Sequence, residues 1–175
     1  LTAAAGMPCR NLDLTLCGKK WVKDSFYGFG KNADLALIEG VMGLFDGVGS
    51  SQQGSTASIA HHLKLPVVLV IDASGQAASL AALVRGFKEH DPQIQIAGVV
   101  INKVNTQRHK ELLMDVLSSI EVKLLGCLPT NPKLNLNSKY LGLAPAHEIE
   151  DIETRIEEWA TIAESSLNLK LLESS

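Results

Sequence analysis

Four short apolar runs, rich in Val, Ile and Leu, are spaced along the chain with few polar residues inside them. They are Asp34–Glu39, Pro66–Asp72, Ile96–Asn102 and Val122–Pro129. Continuous apolar runs of this length are typical of strands buried on both faces, as in a parallel sheet. The pattern therefore predicts four strands of one mostly parallel sheet.

Between and after these runs, apolar residues recur at three- and four-residue spacing, which is the pattern of amphipathic helices. The stripes run through Ala77–Phe87, Leu112–Ile120 and Ile149–Ala163. Shorter helices are predicted from Lys19 to Tyr27, stopping at Gly28 or Gly30, and from Ser55 to Leu63, capped by Gly54-Ser55-Thr56. Strands that alternate with helices predict an α/β fold with helices on both faces of the sheet. Residues 130–147 are predicted to form a long loop.

The composition is that of a globular domain, because 46% of the 175 residues are hydrophobic and 20% are charged. A net charge of −3 gives no sign of nucleic-acid binding, and no apolar stretch approaches a membrane span. We therefore expect neither nucleic acid nor membrane as a partner. The three cysteines, Cys9, Cys17 and Cys127, have no metal-like spacing and predict reduced thiols in a cytoplasmic protein.

Polar residues follow each predicted strand, where ligands bind in open α/β sheets. The sharpest signal is Glu39, which ends the first run and begins the sequence Glu-Gly-Val-Met-Gly-Leu-Phe-Asp-Gly. A carboxylate at that position can hold Mg²⁺, which prefers few carboxylates together with waters and substrate phosphates. Gly40, Gly43 and Gly47 would let a ligand approach the backbone closely. The alternative is a glycine-rich loop that carries a surface acid.

No phosphate loop of the form Gly-x-x-x-x-Gly-Lys-Ser/Thr occurs in the sequence. If the chain is a phosphate-loop nucleotidase, its first strand, its loop and the lysine lie upstream of Leu1. The missing initiator Met also indicates a fragment or a processed protein. Losing a central strand should leave unpaired sheet edges, so we expect a homodimer contact, a helix or a loop to cover them.

The residues around Glu39 resemble the cobyrinic acid a,c-diamide synthase family. The resemblance rests on segments in the family's order: Asn11–Asp13, Asp34–Gly47, Gly54–Ala57, Leu65–Ala73, Gly98–Val104, Leu125–Pro129 and Leu141–Leu143. The Glu39–Gly47 run is highly specific, whereas the other segments are shared with looser relatives. One departure is Lys139-Tyr140, which stands where the family has Arg-His.

The resemblance implies a fold similar to dethiobiotin synthetase, among the phosphate-loop NTPases. It also implies a two-domain ligase of cobalamin biosynthesis, with an ATP-dependent synthetase domain followed by a glutaminase domain. Glutamine would supply ammonia, and ATP with Mg²⁺ would activate the a- and c-carboxylates of the corrin ring. Residues 1–175 would be a fragment of the single synthetase domain, without phosphate loop or glutaminase, and inactive alone.

For the nucleotide, the resemblance carries over to four positions of this chain. Glu39 matches the Mg²⁺ ligand of the family. Asn102 matches the asparagine that reads the adenine edge, since a side-chain amide can donate and accept one hydrogen bond each. Pro129 and Thr130 stand where the relatives place backbone against adenine.

For the carboxylate substrate, the resemblance points to three residues. Asp46 is expected to be catalytic, and Ser55 and Thr56 are expected to contact the substrate. All three follow Glu39 within a stretch that is rich in glycine and serine.

Two other interpretations stay open from the sequence. A ParA- or MinD-like switch ATPase would share the fold, but such proteins usually carry a strand-end Asp followed by small residues instead of the Glu39–Gly47 run. A degenerate relative could instead keep the sheet as a regulatory or interaction module. The missing phosphate loop favours that reading if Leu1 is the true start of the protein.

Overall fold

A computed structural model of the chain describes residues 1–135, 138–139, 142–143 and 146–174. Its helices are α1 (Thr2–Ala5), α2 (Gly18–Gly30), α3 (Thr56–Leu63), α4 (Ser79–His90), α5 (Gln107–Ser118), α6 (Ile152–Ser166) and α7 (Leu169–Glu173). Its strands are β1 (Val67–Asp72), β2 (Ile96–Asn102), β3 (Leu124–Leu128), β4 (Ser138–Lys139) and β5 (Gly142–Leu143). Two 3-10 turns cover Pro132–Leu134 and Ala146–Glu148.

The main sheet has three strands in the order β1-β2-β3, and β2 pairs with β3 in parallel. Four successive residues of β2, 98–101, are buried, which shows that both faces of this strand are covered. The predicted strands at 66–72, 96–102 and 122–129 are therefore confirmed to within two residues at each end. The α/β class and the parallel sheet are confirmed with them.

The first predicted strand, Asp34–Glu39, is wrong. In the part of the chain that the structure describes, this segment joins no sheet. Leu35 is 61% exposed, Leu37 is 88% exposed and Val41 is 94% exposed. A strand persists only where a neighbouring strand takes up its N–H and C=O groups, and no described residue does so here. Apolar content identified a candidate strand but could not supply its partner.

The five predicted helices are confirmed, with ends displaced by up to five residues. Ser55 caps α3 as predicted, because its hydroxyl oxygen accepts the Ser58 N–H at 3.1 Å. Within residues 130–147, however, the structure places the 3-10 turns and the antiparallel hairpin β4–β5, so the expectation of one long loop is wrong. Tyr140, which belongs to the departure Lys139-Tyr140, and Leu141, which belongs to the family segment Leu141–Leu143, lie outside the described residues.

The chain divides into two compact units. One consists of Leu1–Cys9, Val68–Arg85 and Gly98–Ser175, and the other of Arg10–Val67 and Gly86–Ala97. We call them the Asn102 unit and the Glu39 unit after the candidate residue that each contains. The fully buried residues of the first include Ala73, Leu80, Val84, Val99, Ile101, Leu113, Leu117 and Leu125, and the buried residues of the second include Val22, Ala57 and Leu63. Each unit therefore has its own apolar core.

The three cysteines are free thiols. Cys9 and Cys17 are exposed, while Cys127 is half-buried in β3, where burial raises the pKa of its thiol. Cys127 is therefore a neutral, small apolar side chain in this setting. None of the helices in the described residues has the length and hydropathy to cross a membrane.

Candidate functional site

The carboxyl ends of β1, β2 and β3 meet in the Asn102 unit. The Ala73 N–H donates to the Asn102 carbonyl at 2.9 Å, and the Val104 N–H donates to the Leu128 carbonyl at 3.0 Å. These two bonds continue the sheet ladder past the last residue of each strand. The loops that follow the strands are thereby brought together at the edge where parallel α/β sheets bind ligands.

Asp72, the last residue of β1, is the most strongly hydrogen-bonded carboxylate at this edge. It accepts from the Lys103 ammonium group at 2.6 Å, from the Ser74 hydroxyl at 2.6 Å and from the Ser74 N–H at 3.0 Å. Lys103 first, and Ser74 second, hold the pKa of Asp72 well below its usual range. The loops after β1 and β2 are therefore joined by an ion pair as well as by backbone.

Lys103 is a residue that the sequence analysis missed. Its backbone lies in the left-handed region, at φ 62°, which is uncommon for a residue with a side chain. That conformation immediately follows β2 and accompanies the contact of Lys103 with Asp72. The sequence showed one signal, which is that the Asn102-Lys103 pair stands at the end of a buried apolar run. It did not show that Asp72 is the partner of Lys103.

Asn102 is half-buried at the end of β2, and its side chain is held in place. Its Oδ1 accepts the backbone N–H of Lys103 at 2.8 Å, which fixes which end of the amide is oxygen. Oδ1 keeps a second lone pair, and no described residue takes the two hydrogens of Nδ2. The side chain can therefore still accept one hydrogen bond and donate another, and a role for it in reading adenine stays a prediction.

Pro129 and Thr130, the residues after β3, are held by Asn105. The Thr130 N–H donates to Asn105 Oδ1 at 2.9 Å, and Asn105 Nδ2 donates to the Thr130 hydroxyl at 3.1 Å. Proline has no N–H of its own. The backbone of this dipeptide is therefore left with carbonyl oxygens, which accept hydrogen bonds. Asn105 could not be recognised from the sequence, since no local pattern indicates a partner 25 residues away.

Glu39 lies on the surface of the Glu39 unit, beside a close contact between Gly40 and α3. A Cβ placed on Gly40 would lie 2.6 Å from the Thr56 hydroxyl oxygen and 2.9 Å from its methyl group. The chain after Glu39 therefore passes against the first residue of α3, at a distance that only glycine permits. Two predicted site residues, Glu39 and Thr56, are brought near each other by this packing.

The glycine-rich loop after Glu39 is folded onto the helices of its unit. The Ala57 N–H donates to the Leu44 carbonyl at 2.9 Å, and Leu44 is buried. The Phe45 ring stacks on Phe87, with centroids 5.9 Å apart, and lies 4.5 Å from the His90 ring. The loop is thus an ordered structure tied to the start of α3 and the end of α4.

Asp46 and Ser55 differ in what they offer a substrate. Asp46 is exposed, its N–H donates to the Gly43 carbonyl at 3.0 Å, and its carboxylate covers Gly43. Ser55 is 1% exposed, and its hydroxyl is occupied as the cap of α3. A role for either residue in substrate binding stays a prediction, and Asp46 is the more accessible of the two.

The oxygen donors of the Glu39 unit suit Mg²⁺ only in part. The described residues contain no group of three His, Cys, Asp or Glu side chains that could hold a metal ion. The Glu39 carboxylate and the Thr56 hydroxyl are hard donors of the kind that Mg²⁺ binds, and this ion usually keeps several waters and phosphate oxygens. These residues therefore fit an ion held mostly by water and phosphate.

A separate cavity of about 590 Å³ lies in the Glu39 unit, next to residues that precede β1 and β2. Its lining includes Lys19, His61, His62 and Lys64, and the His62 Nε2 lies 2.8 Å from the Lys19 carbonyl. None of the predicted site residues lines this cavity. The predicted site residues therefore lie outside this cavity: Asn102, Pro129 and Thr130 at the strand ends of the Asn102 unit, and Glu39, Asp46, Ser55 and Thr56 in the Glu39 unit.

Three curated proteins with sequences similar to this chain are cobyrinate or hydrogenobyrinate a,c-diamide synthases. The chain is 39% identical to a cobyrinate a,c-diamide synthase of Caldanaerobacter subterraneus subsp. tengcongensis over 93% of its length, covering 36% of that protein. It is 45% identical to a hydrogenobyrinate a,c-diamide synthase of Streptomyces coelicolor over 83% of its length, covering 30% of that protein. A relative of the same name from Mycobacterium bovis is 43% identical over 83% of the chain, covering 33% of the relative.

The chain spans only about a third of the length of these curated relatives. No solved structure matches it. The resemblance predicted from the Glu39 segment and the strands is confirmed by these relatives. The AAA domain family matches residues 16–138, which is more than half of the chain and includes every predicted site residue. The chain therefore belongs to the AAA domain family of phosphate-loop NTPases.

Proposed function

We propose that the complete protein containing this chain is an ATP-dependent ligase that converts carboxylates of a corrin into amides. The observation that carries the proposal is the identity of 39% to 45% with proteins named cobyrinate or hydrogenobyrinate a,c-diamide synthase. That similarity covers 83% to 93% of the chain, including Glu39, Asn102 and Thr130. Because the chain spans a third of those relatives, the activity is assigned to the complete protein.

The reaction that we propose has two displacements. A substrate carboxylate oxygen attacks the γ-phosphorus of ATP, ADP leaves, and an acyl phosphate forms. Ammonia, released from glutamine by a glutaminase domain, then attacks the acyl carbon, and phosphate leaves as the nitrogen loses a proton. The two steps convert one carboxylate to one amide, so the a- and c-positions each consume one ATP.

The Asn102 unit supports the nucleotide-binding part of this proposal. The Asn102 side chain can accept from the adenine amino group and donate to a ring nitrogen. The carbonyl oxygens of Pro129 and Thr130 provide acceptors beside it. These groups are held by the bonds to Lys103 and Asn105, so little ordering is required when the base binds.

The Glu39 unit supports the part of the proposal that concerns Mg²⁺ and the negative charge of the ATP phosphates. Mg²⁺, when bound, neutralises the phosphate charge that grows as the carboxylate attacks. Glu39 would hold that ion, directly or through water, with the Thr56 hydroxyl beside it. Asp46 would accept the proton that ammonia loses, and Ser55 would position Thr56 by capping α3.

The remaining features of the proposal concern the surroundings of the enzyme. We place the protein in the cytoplasm, which agrees with its three free thiols. A corrin carboxylate and a glutaminase domain are the proposed partners, and a homodimer is the proposed assembly. The exposed apolar side chains around Leu37 and Val41 support an assembly that covers them.

The experiment uses the complete gene product with cobyrinic acid, Mg-ATP and either glutamine or ammonia, and follows amide formation by mass spectrometry. We expect amide formation with both nitrogen sources and a fall in kcat of about 10²- to 10³-fold for Glu39→Gln, because a charged group at the phosphates is lost. Glu153→Gln, at an exposed Glu in the first turn of α6, is the matched control and should keep the parent rate. An unmodified protein that forms no amide with either nitrogen source would refute the proposal.

A further inference from the structure

We infer that Asn105 is a positioning residue that sets the preference of this site for adenine over guanine. It does so by holding the Thr130 N–H away from the base, so that the backbone after β3 presents acceptors to the nucleotide. The inference rests on the proposed function, since it assumes that the base lies against Pro129 and Thr130. It adds a residue that neither the family pattern nor the reaction required.

The geometry behind the inference is a reciprocal pair of hydrogen bonds between two loops. Asn105 Oδ1 accepts the Thr130 N–H at 2.9 Å, while Asn105 Nδ2 donates to the Thr130 hydroxyl at 3.1 Å. The loop that carries Asn105 is anchored by the neighbouring residue Val104. Val104 is buried, and its backbone N–H donates to the Leu128 carbonyl at 3.0 Å. The side-chain amide of Asn105 therefore reaches the second loop from an anchored position.

Solvent exposure separates this pair from an ordinary packing contact. Asn105 and Thr130 are both exposed, so water competes for both bonds and the pair adds little to the stability of the fold. The bonds nevertheless fix the direction of one backbone N–H at the edge where ligands bind. The contact between Asn105 and Thr130 therefore matters more for the orientation of the Thr130 N–H than for the stability of the fold.

Because adenine and guanine differ in their hydrogen-bonding groups, the orientation of the Thr130 N–H affects which of the two bases this site prefers. Adenine presents an amino donor at N6, whereas guanine presents an acceptor at O6 in the same place. Carbonyl oxygens of Pro129 and Thr130 can accept from the adenine amino group but would face the guanine oxygen without a proton between them. A free Thr130 N–H could donate to guanine O6 and remove that penalty. Sites built to pair one polar group reject analogues that leave the group unpaired.

The test measures kcat and KM for ATP and for GTP in amide formation by the complete protein. Asn105→Ala frees the Thr130 N–H, and the ratio of kcat/KM for ATP to that for GTP should fall about 5- to 10-fold. Most of the change should be a lower KM for GTP, because the new hydrogen bond forms when the base binds. Asn105→Ser, whose shorter side chain cannot reach Thr130, should show the same fall.

A matched variant keeps the bond to the Thr130 N–H and should keep the parent ratio. Thr130→Val removes only the hydroxyl that accepts from Asn105 Nδ2, and it retains the backbone N–H and its bond to Asn105 Oδ1. A ratio that stays unchanged in Asn105→Ala, or an equal loss with both nucleotides, would overturn the inference. So would a fall in Thr130→Val as large as that in Asn105→Ala. Failure of the proposed function is separate, since it appears in the unmodified protein as absent amide formation with ATP.

Discussion

The strand ends of the Asn102 unit and the segment around Glu39 contrast in how far the chain organises them. In the Asn102 unit, β2 is buried on both faces, and the loops after the strands are joined by the Asp72–Lys103 and Asn105–Thr130 contacts. Around Glu39, residues 34–37 before it are exposed and join no strand in the described residues, although the loop after it is packed on α3. The strand ends of the Asn102 unit are therefore fixed by the strands before them and by contacts between the loops after them, whereas the Glu39 segment is fixed only through the loop that follows it.

The contrast teaches what an apolar run requires before it becomes a strand. Leu35–Glu39 and Val67–Asp72 are similar in length and in aliphatic character, yet only the second is a strand in this structure. The second lies beside β2, which takes up one row of its backbone groups, and its residues Leu69 and Ile71 are buried. Burial and pairing therefore come from neighbours and not from the run itself.

The largest expected difference between the two regions comes from truncating one leucine in each. Leu125, in β3, is 0% exposed, and Leu125→Ala should lower the free energy of unfolding of the 175-residue chain by about 2–5 kcal/mol through lost contacts and a cavity. Leu37 is 88% exposed, and Leu37→Ala should change it by less than about 0.5 kcal/mol. Urea unfolding of the two variants measures both values. An equal cost at the two positions would mean that Leu37 is buried in solution and that the contrast is wrong.

A smaller effect is expected where the Glu39 segment does touch the rest of its unit. Gly40→Ala places a methyl group against the Thr56 side chain and should cost about 1–3 kcal/mol of unfolding free energy. Gly28→Ala, in α2, meets open space and should instead stabilise the chain by about 0.5–1 kcal/mol.

The same contact can be tested from its other side. Combining Gly40→Ala with Thr56→Ala removes the obstructing side chain, so the double variant should recover most of the stability lost in Gly40→Ala. Thermal or urea unfolding provides the measurement. If the double variant loses the sum of the single costs, the close approach of Gly40 to α3 does not exist in solution.

The smallest effect is expected at the Asp72–Lys103 pair, which is half-exposed. Because the folded pKa of Asp72 lies below the unfolded value of about 3.9, its carboxylate stabilises the fold above that pH and the contribution is lost as pH falls towards the folded pKa. Asp72→Asn should therefore lower Tm by an amount on the order of 1 °C near neutral pH. The difference from the parent should shrink on acidification and in concentrated salt. A difference in Tm that grows as the pH falls would contradict this assignment.

The local pattern predicted the paired strands and all five longer helices, because apolar spacing reflects which side chains a covered element buries. Ser55 illustrates how far local chemistry reaches, since a serine before a helix supplies the same cap in many folds. The ends of α5 and α6 were less predictable, because an apolar stripe indicates which side chains are buried and not where the backbone bonds of the helix begin and stop. Between residues 130 and 147, the hairpin β4–β5 escaped prediction because its two-residue strands carry no periodicity.

The candidate site was predictable as a set of residue types and unpredictable as a set of contacts. Glu39, Asn102 and Thr130 follow or end apolar runs, so their positions could be read from the chain. Lys103 and Asn105 could not be recognised, because their partners lie 31 and 25 residues away. Ser55 was recognised as a cap, but only its burial shows that the hydroxyl faces α3 rather than solvent.

The sequence by itself determined the alternation of strands and helices, the chemical character of each strand end and membership of a family. Those properties depend on side-chain type and spacing, which are local. Only the tertiary structure decided that the Leu35–Glu39 run is unpaired among the described residues, that Gly40 rests on Thr56, and that Asn105 holds Thr130. Pairing, close approach and hydrogen-bond direction are relations between distant parts of the chain, so they arise only when the chain is folded.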